Sequence, residues 1–294
     1  ASGTLSDGST VIVNTDGTVS VISQTAVNAT AGTPVVYSSA NTYSTSATYD
    51  STSGKVVIAY RASNSYGTAV VGTISGTSIS FGTPVVFESA ATSEVSAVYD
   101  SSNGKVVIAY QDVGDNYRGK AVVGTVSGTS ISFGSPQQFE NGITLEISAT
   151  YDSSNGKVVI AYRDQGNSNR GTAIVGTVSG TSITFGSAVL YHSNTVNHVS
   201  ATYDSSNGKV VIAYQDEANS DYGTAIVGTV SGTSISFGSS AVFESSDCDD
   251  IAAVYDSANG KVVIAYRDDG DSDKGKAVVG TVSGTSISFG TPVV

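Results

Sequence analysis

The chain has 294 residues, enough for one large domain, and is rich in Gly, Ser, Thr, Val and Tyr with no Met and no Trp, a composition that favours strands and tight turns. Its formal charge of −12 excludes nucleic acid as a partner, because holding phosphate needs a basic face. A lone cysteine, Cys248, excludes an intramolecular disulfide framework, and no apolar run is long enough to predict a membrane span.

In chain order, the first segment is the least regular. With no initiator Met, Ala1 is expected to follow a processing site or a cut within a longer polypeptide. Thr10 to Asn14 and Thr18 to Ser23 flank Asp16-Gly17, a hairpin signal, and Gly32 to Tyr37 (GTPVVY) matches Gly82 to Phe87 (GTPVVF). Residues 1–45 are therefore expected to form a degenerate partial blade or a stalk.

From residue 46 the chain repeats. GKVVIAY recurs at Gly54, Gly104, Gly156, Gly208 and Gly260, a period of 50 residues once and then 52 three times. The repeats span 46–95, 96–147, 148–199, 200–251 and 252–294. In the second, four strand-like runs follow one another: Ser96 to Tyr99, Lys105 to Gln111, Ala121 to Val126 and Ser130 to Phe133. Asp100 to Gly104 (DSSNG) and Ser127-Gly128-Thr129 supply tight turns, the first through the positive φ expected of its Asn-Gly pair.

Four antiparallel strands per unit and a period near 50 predict an all-β fold, a β-propeller of four-stranded blades. It has five clear repeats plus the degenerate N-terminal one, and six blade positions are favoured over five. Val106 to Tyr110 is apolar on both faces, so GKVVIAY should lie inside each sheet. Ser130 to Phe133 alternates and should be the outer edge. The recurring Phe81, Phe133, Phe185, Phe237 and Phe289 are expected as core aromatics between blades.

YDSSNGKVVIAYRD from Tyr151 and GTAVVGTISGTSISFGTPVVF from Gly67 resemble repeat units of marine bacteriophage tail-fibre and other virion structural proteins. The resemblance covers residues 32–294 and implies a virion or extracellular setting, with other virion subunits among the partners. The Ser-x-Asp-x-Gly-x-x-Trp box of sialidase-type propellers is not matched. Asp100, Ser102, Gly104 and Val107 stand at its fixed places, and only the glycine agrees.

The DSSNG and SGTS turns hardly vary, whereas the segments after the second and fourth strands do. Antiparallel direction puts both variable sets on one side of the disc, which should carry nearly all the net charge. That side is the expected binding face, with Tyr66, Tyr117, Arg163, Tyr222 and Arg267 as ligand-binding candidates. Tyrosine faces beside Asp, Asn and Arg suit a cell-surface glycan or receptor, although loop tyrosines packing on their own blade explain the same residues.

Asp269, Asp271 and Asp273 alternate as in calcium loops, but the other repeats lack the spacing. His192 and His198 read as solvated loop residues, and acidic neighbours disfavour a Cys248 thiolate. No catalytic set, metal or cofactor is expected. A purely structural assembly module is the alternative, and a glycan hydrolase the weakest reading.

Overall fold

The computed structural model describes residues 31–294 and, ahead of them, only the strands β1 (Val11–Val13) and β2 (Val19–Val21). These two pair antiparallel, Val11 opposite Val21, as the Asp16-Gly17 signal predicts. The rest of the expected partial blade up to residue 30 lies outside the described residues.

In each repeat the constant turn joins the first strand-like run to the second. Asp100 Oδ1 accepts from the amides of Ser102 and Asn103, and Asp100 Oδ2 accepts from the Asn103 side-chain amide. Only Gly104, at φ +63°, occupies the left-handed region. Asn103 does not, contrary to the expectation for an Asn-Gly pair; its side chain ties the turn to the aspartate instead.

Around such turns the chain builds five sheets. The first holds β3 (Tyr43–Asp50), β4 (Lys55–Arg61), β5 (Tyr66–Ser75) and β6 (Ser78–Phe81). The second continues with β7 (Val85–Asp100), β8 (Lys105–Asp112), β9 (Arg118–Ser127) and β10 (Ser130–Phe133). The third has β11 (Gln137–Asp152), β12 (Lys157–Asp164), β13 (Arg170–Ser179) and β14 (Ser182–Phe185). The fourth has β15 (Val189–Asp204), β16 (Lys209–Asp216), β17 (Tyr222–Ser231) and β18 (Ser234–Phe237). The fifth has β19 (Ala241–Asp256), β20 (Lys261–Asp268), β21 (Lys274–Ser283) and β22 (Ser286–Phe289).

The GKVVIAY strand is interior in every sheet, as its two apolar faces require: β8 pairs with β7 on one side and β9 on the other. The outer edge is composite. Along β9, the end from Gly124 to Ser127 pairs with β10, and the end from Arg118 to Ala121 pairs with the first half of β11. The second half of β11 then pairs with β12 in the next sheet. What the sequence suggests as inter-blade loops are therefore single 16-residue strands, and the 95/96, 147/148, 199/200 and 251/252 repeat limits fall inside them.

The strand changes sheets between Ile143, opposite Arg118, and Thr144, opposite Asp164. Its register shifts on both sides of that point, between Gln138 and Ile143 against β9 and between Leu145 and Ser148 against β12. Glu146, in the second shift, sits at φ +53°, and Ser44, Glu94, His198 and Asp250 repeat that conformation. Such bulges bend and twist a strand locally.

Blades pack through unlike faces. Val107, Ala109, Ala121 and Val123 of the second blade present small side chains to Val158, Ile160 and Tyr162 of the third, with Phe139 and Tyr151 closing the cluster. The first strands of neighbouring blades lie side by side: Ala149 N donates to Ser96 Oγ at 3.0 Å and Tyr151 OH to Ser102 Oγ at 2.6 Å, contacts the next two junctions repeat. Tyr110 and Ile131 are buried as expected, but Phe133 is only half-buried. It stands at the outer edge, where it packs edge-to-face on Phe87 with ring centres 5.7 Å apart. The enclosed aromatic is Phe87, which also packs on Tyr110 at 5.2 Å.

Candidate functional site

The segments after the second strands and the bulged stretches of the long strands meet on one face, while the DSSNG turns lie at the other end of the strands. In the second blade, Asp112 Oδ1 accepts from Asp115 N at 3.0 Å and caps a single 3-10 turn, after which Asn116 and Tyr117 adopt left-handed φ of 57° and 62°. The Tyr117 carbonyl then receives Thr144 N from the long strand at 3.0 Å, and Asn169, Asp221 and Ser65 do the same for Val196, Cys248 and Thr92. Each variable turn is thus fastened to the strand that leads into the next blade.

Three junctions are closed by a glycine. A Cβ on Gly114 would meet Ala90 Cβ at 2.6 Å, one on Gly166 would meet Gly142 Cα at 3.2 Å, and one on Gly270 would meet Ser246 Oγ at 1.8 Å. The fourth blade carries Ala218 instead, whose methyl forbids the same approach. Its turn also lacks the aspartate cap, because Asp216 Oδ1 is engaged by His192 Nε2 at 3.0 Å. His192 replaces Glu88, Glu140 and Glu244, which accept from the buried tyrosines Tyr110, Tyr162 and Tyr266, and its other nitrogen lies 3.3 Å from Tyr214 OH. It is half-buried between two partners, which corrects the solvated-loop expectation for this histidine. His198 is likewise engaged, with Nε2 3.1 Å from Asp249 and Nδ1 accepting from Asp250 N.

Between the third and fourth blades an open cleft of about 390 Å³ results, lined by Ser168, Arg170, Ser193, Asn194, Thr195, Glu217 and Ala218. That volume suits a small ligand. The lining offers a guanidinium donor, a carboxylate acceptor, hydroxyls and an amide. Arg170 makes one contact at 3.2 Å with Asn167 and its Nε is enclosed without a partner; Glu217 makes no ion pair among the described residues. Close by, Asp221 is pushed above the usual carboxylate range by partial burial and by Asp247 and Glu217. A rim this acidic disfavours an anionic ligand.

Tyr66 and Tyr222 occupy at their own junctions the place that Arg170 holds here, the first residue of the third strand, and Arg118 and Lys274 fill it elsewhere. Tyr117, exposed, stands one residue earlier. Arg163 and Arg267 lie elsewhere, at the ends of second strands beside the inner bulges. Arg163 donates to Asn197 of the next blade, and Arg267 pairs with Asp249 and, at 2.7 Å, with Asp269. The structure therefore divides the five candidates into three at the glycine-closed junctions between blades and two tied into inner polar contacts, and none of the five lines the open cleft. Sequence reasoning missed Glu217 and Ser193; Ala218 in place of a repeated glycine was the available signal.

The acidic run of the last blade is likewise engaged: Asp271 contacts Lys274 at 2.9 Å and Lys276 at 3.3 Å, and Asp268 pairs with Lys276. No three His, Cys, Asp or Glu among the described residues are grouped to hold a metal ion. Cys248 is buried, and burial together with Glu244 and Asp268 pushes its thiol well up, so it is not a thiolate nucleophile.

No protein-family profile and no curated protein matches the chain. Solved structures do. The lectin of Aleuria aurantia, described as a six-bladed β-propeller with a novel fucose recognition mode, is 14% identical, with 86% of this chain and 78% of that one covered and a TM-score of 0.52. AofleA from Arthrobotrys oligospora is 7% identical over 87% of this chain and 70% of its own, at 0.51. The fold is a β-propeller. Trypanosoma rangeli sialidase also matches, 13% identical, covering 99% of this chain but 54% of its own, at 0.50. At these identities the propeller's likeness to all three is one of fold.

Proposed function

We propose that this propeller is a non-catalytic carbohydrate-binding module that takes a neutral sugar in the cleft between the third and fourth blades on its variable face. The observation that carries the reading is the cleft between the third and fourth blades, which Arg170, Glu217, Ser193, Asn194 and Thr195 line together. Donors and acceptors on polar side chains match sugar hydroxyls, and the acidic surroundings select against anionic glycans. The propeller of similar fold from Aleuria aurantia is a lectin, seen in complex with α-methyl-L-fucoside, which supports the class of ligand. A virion or cell-surface setting, with a receptor or other virion subunits as partners, is supported by the repeat's resemblance to phage structural proteins alone.

A glycan array at low and high salt tests this reading. Binding of neutral glycans that survives high salt and is lost in Arg170→Ala supports it. Binding that vanishes with salt, or that Arg170→Ala leaves unchanged, would overturn it.

A further inference from the structure

Directly after its enclosed aromatic, each long strand bulges away from the third strand beside it, and in β7, β11 and β19 a glutamate holds that bulge. Glu140 Oε2 accepts from Tyr162 OH at 2.9 Å, while Oε1 accepts from the amides of Asn141 at 2.7 Å and Gly142 at 2.9 Å. Glu88 Oε1 takes the amide of Ala90 at 3.1 Å, and Glu244 Oε1 that of Ser245 at 2.9 Å. One carboxylate oxygen thus satisfies backbone donors that the bulge leaves outside the strand ladder.

The long strand between the third and fourth blades, β15, has His192 at that place. Its Nε2 lies 3.0 Å from Asp216 Oδ1 and its Nδ1 3.3 Å from Tyr214 OH, so neither ring nitrogen is left to accept from the bulge. The bulge residues, Ser193 and Asn194, have no partner across the strand, are exposed, and both line the cleft. Among the described residues no side chain accepts from either amide. The bulge therefore brings to the cleft the donors that a carboxylate oxygen takes up at the other junctions.

The group that fits such donors is an oxygen on a planar carbon, carrying no hydrogen of its own, as the glutamate oxygen is. A ligand carboxylate is opposed by Asp216, Glu217, Asp221 and Asp247, which stand together here. An amide carbonyl offers the same oxygen without the charge. The cleft also holds what the rest of an acetamido group asks for. Glu217 is an acceptor for its N–H, and Ala218, the one lining side chain without a polar atom, is a surface for its methyl.

We propose, resting on the carbohydrate reading above, that the cleft selects sugars carrying an acetamido group, with the carbonyl on the amides of Ser193 and Asn194, the N–H on Glu217 and the methyl on Ala218. Arg170 and the hydroxyls of Ser168 and Thr195 remain for the ring hydroxyls. His192 sets the preference, because a glutamate in its place would take the donors back.

Titration calorimetry of the full chain with the methyl glycosides of glucose, galactose and mannose and of their acetamido counterparts tests this. At least one acetamido sugar should bind about tenfold or more tighter than its parent, through two hydrogen bonds and a methyl contact that the parent lacks. His192→Glu should bring that ratio to about one. The variant recreates in the fourth blade the set of Glu140, Asp164 and Thr172 with which the third blade already folds. In unaltered protein the amide resonances of Ser193 and Asn194 should shift as the acetamido sugar is added, a readout that does not depend on the variant. Equal affinity within every pair overturns the acetamido proposal and leaves the carbohydrate reading standing. A ratio that survives His192→Glu, or amides that do not shift, puts the acetamido group elsewhere and overturns it as well. Binding of none of these sugars overturns both.

Discussion

Tyr110 is fully buried and its hydroxyl donates to Glu88 Oε2 at 3.0 Å, while Phe133 touches solvent at the outer edge. Tyr110→Ala should therefore cost roughly 3–5 kcal/mol and Phe133→Ala about 1–2 kcal/mol, measured by urea denaturation. Equal losses would contradict the composite outer edge. The turn aspartates give the pH response. Burial alone would raise Asp50, but the Ser53 hydroxyl and the amides of Ser53 and Thr52 outweigh it; at Asp256 the Asn259 side chain leads. Both carboxyls sit below the ordinary 3.8, so their contribution is complete above that value and is lost as pH falls through the folded values. Asn259→Ala should start acid unfolding at higher pH in melts recorded from about pH 6 to about pH 2, and an unmoved onset would remove the turn from the account.

At the scale of elements, the third strand's opening glycine and the following blade's aromatic form one contact. Gly119→Ala drives a methyl into the Phe139 ring and should cost about 1–3 kcal/mol by urea denaturation, and a loss under about 0.5 kcal/mol would contradict that contact. The variable turn is the second lever. Ala218→Gly lets the fourth blade's turn close on residues 193–195 as its counterparts do, so glycan affinity should fall while Tm holds. Isothermal titration of the variant against the sugar that wild type selects from an array checks this, and undiminished affinity would place the ligand elsewhere.

Over the whole molecule, acids concentrate on the variable face, at Asp115, Asp221, Glu217, Asp249, Asp250 and Asp269, on a chain of net charge −12. Screening should relieve their mutual repulsion, so Tm should rise by about 2–4 °C between low and moderate salt. A fall would mean that the ion pairs of Arg267, Lys274 and Lys276 outweigh that repulsion. The repeat, the interior GKVVIAY strand, the constant turns and the side on which the variable segments emerge were legible in the sequence, because each follows from side-chain periodicity, turn chemistry or strand direction within one repeat. Tertiary structure alone decided the rest. That Phe87 rather than Phe133 is enclosed, that one long strand leaves one sheet at Ala91 and joins the next at Thr92, and that Ala218 opens a cleft while Gly166 closes one all depend on contacts between blades. Residues some 50 apart make those contacts, and a pattern within one repeat carries no distance between them.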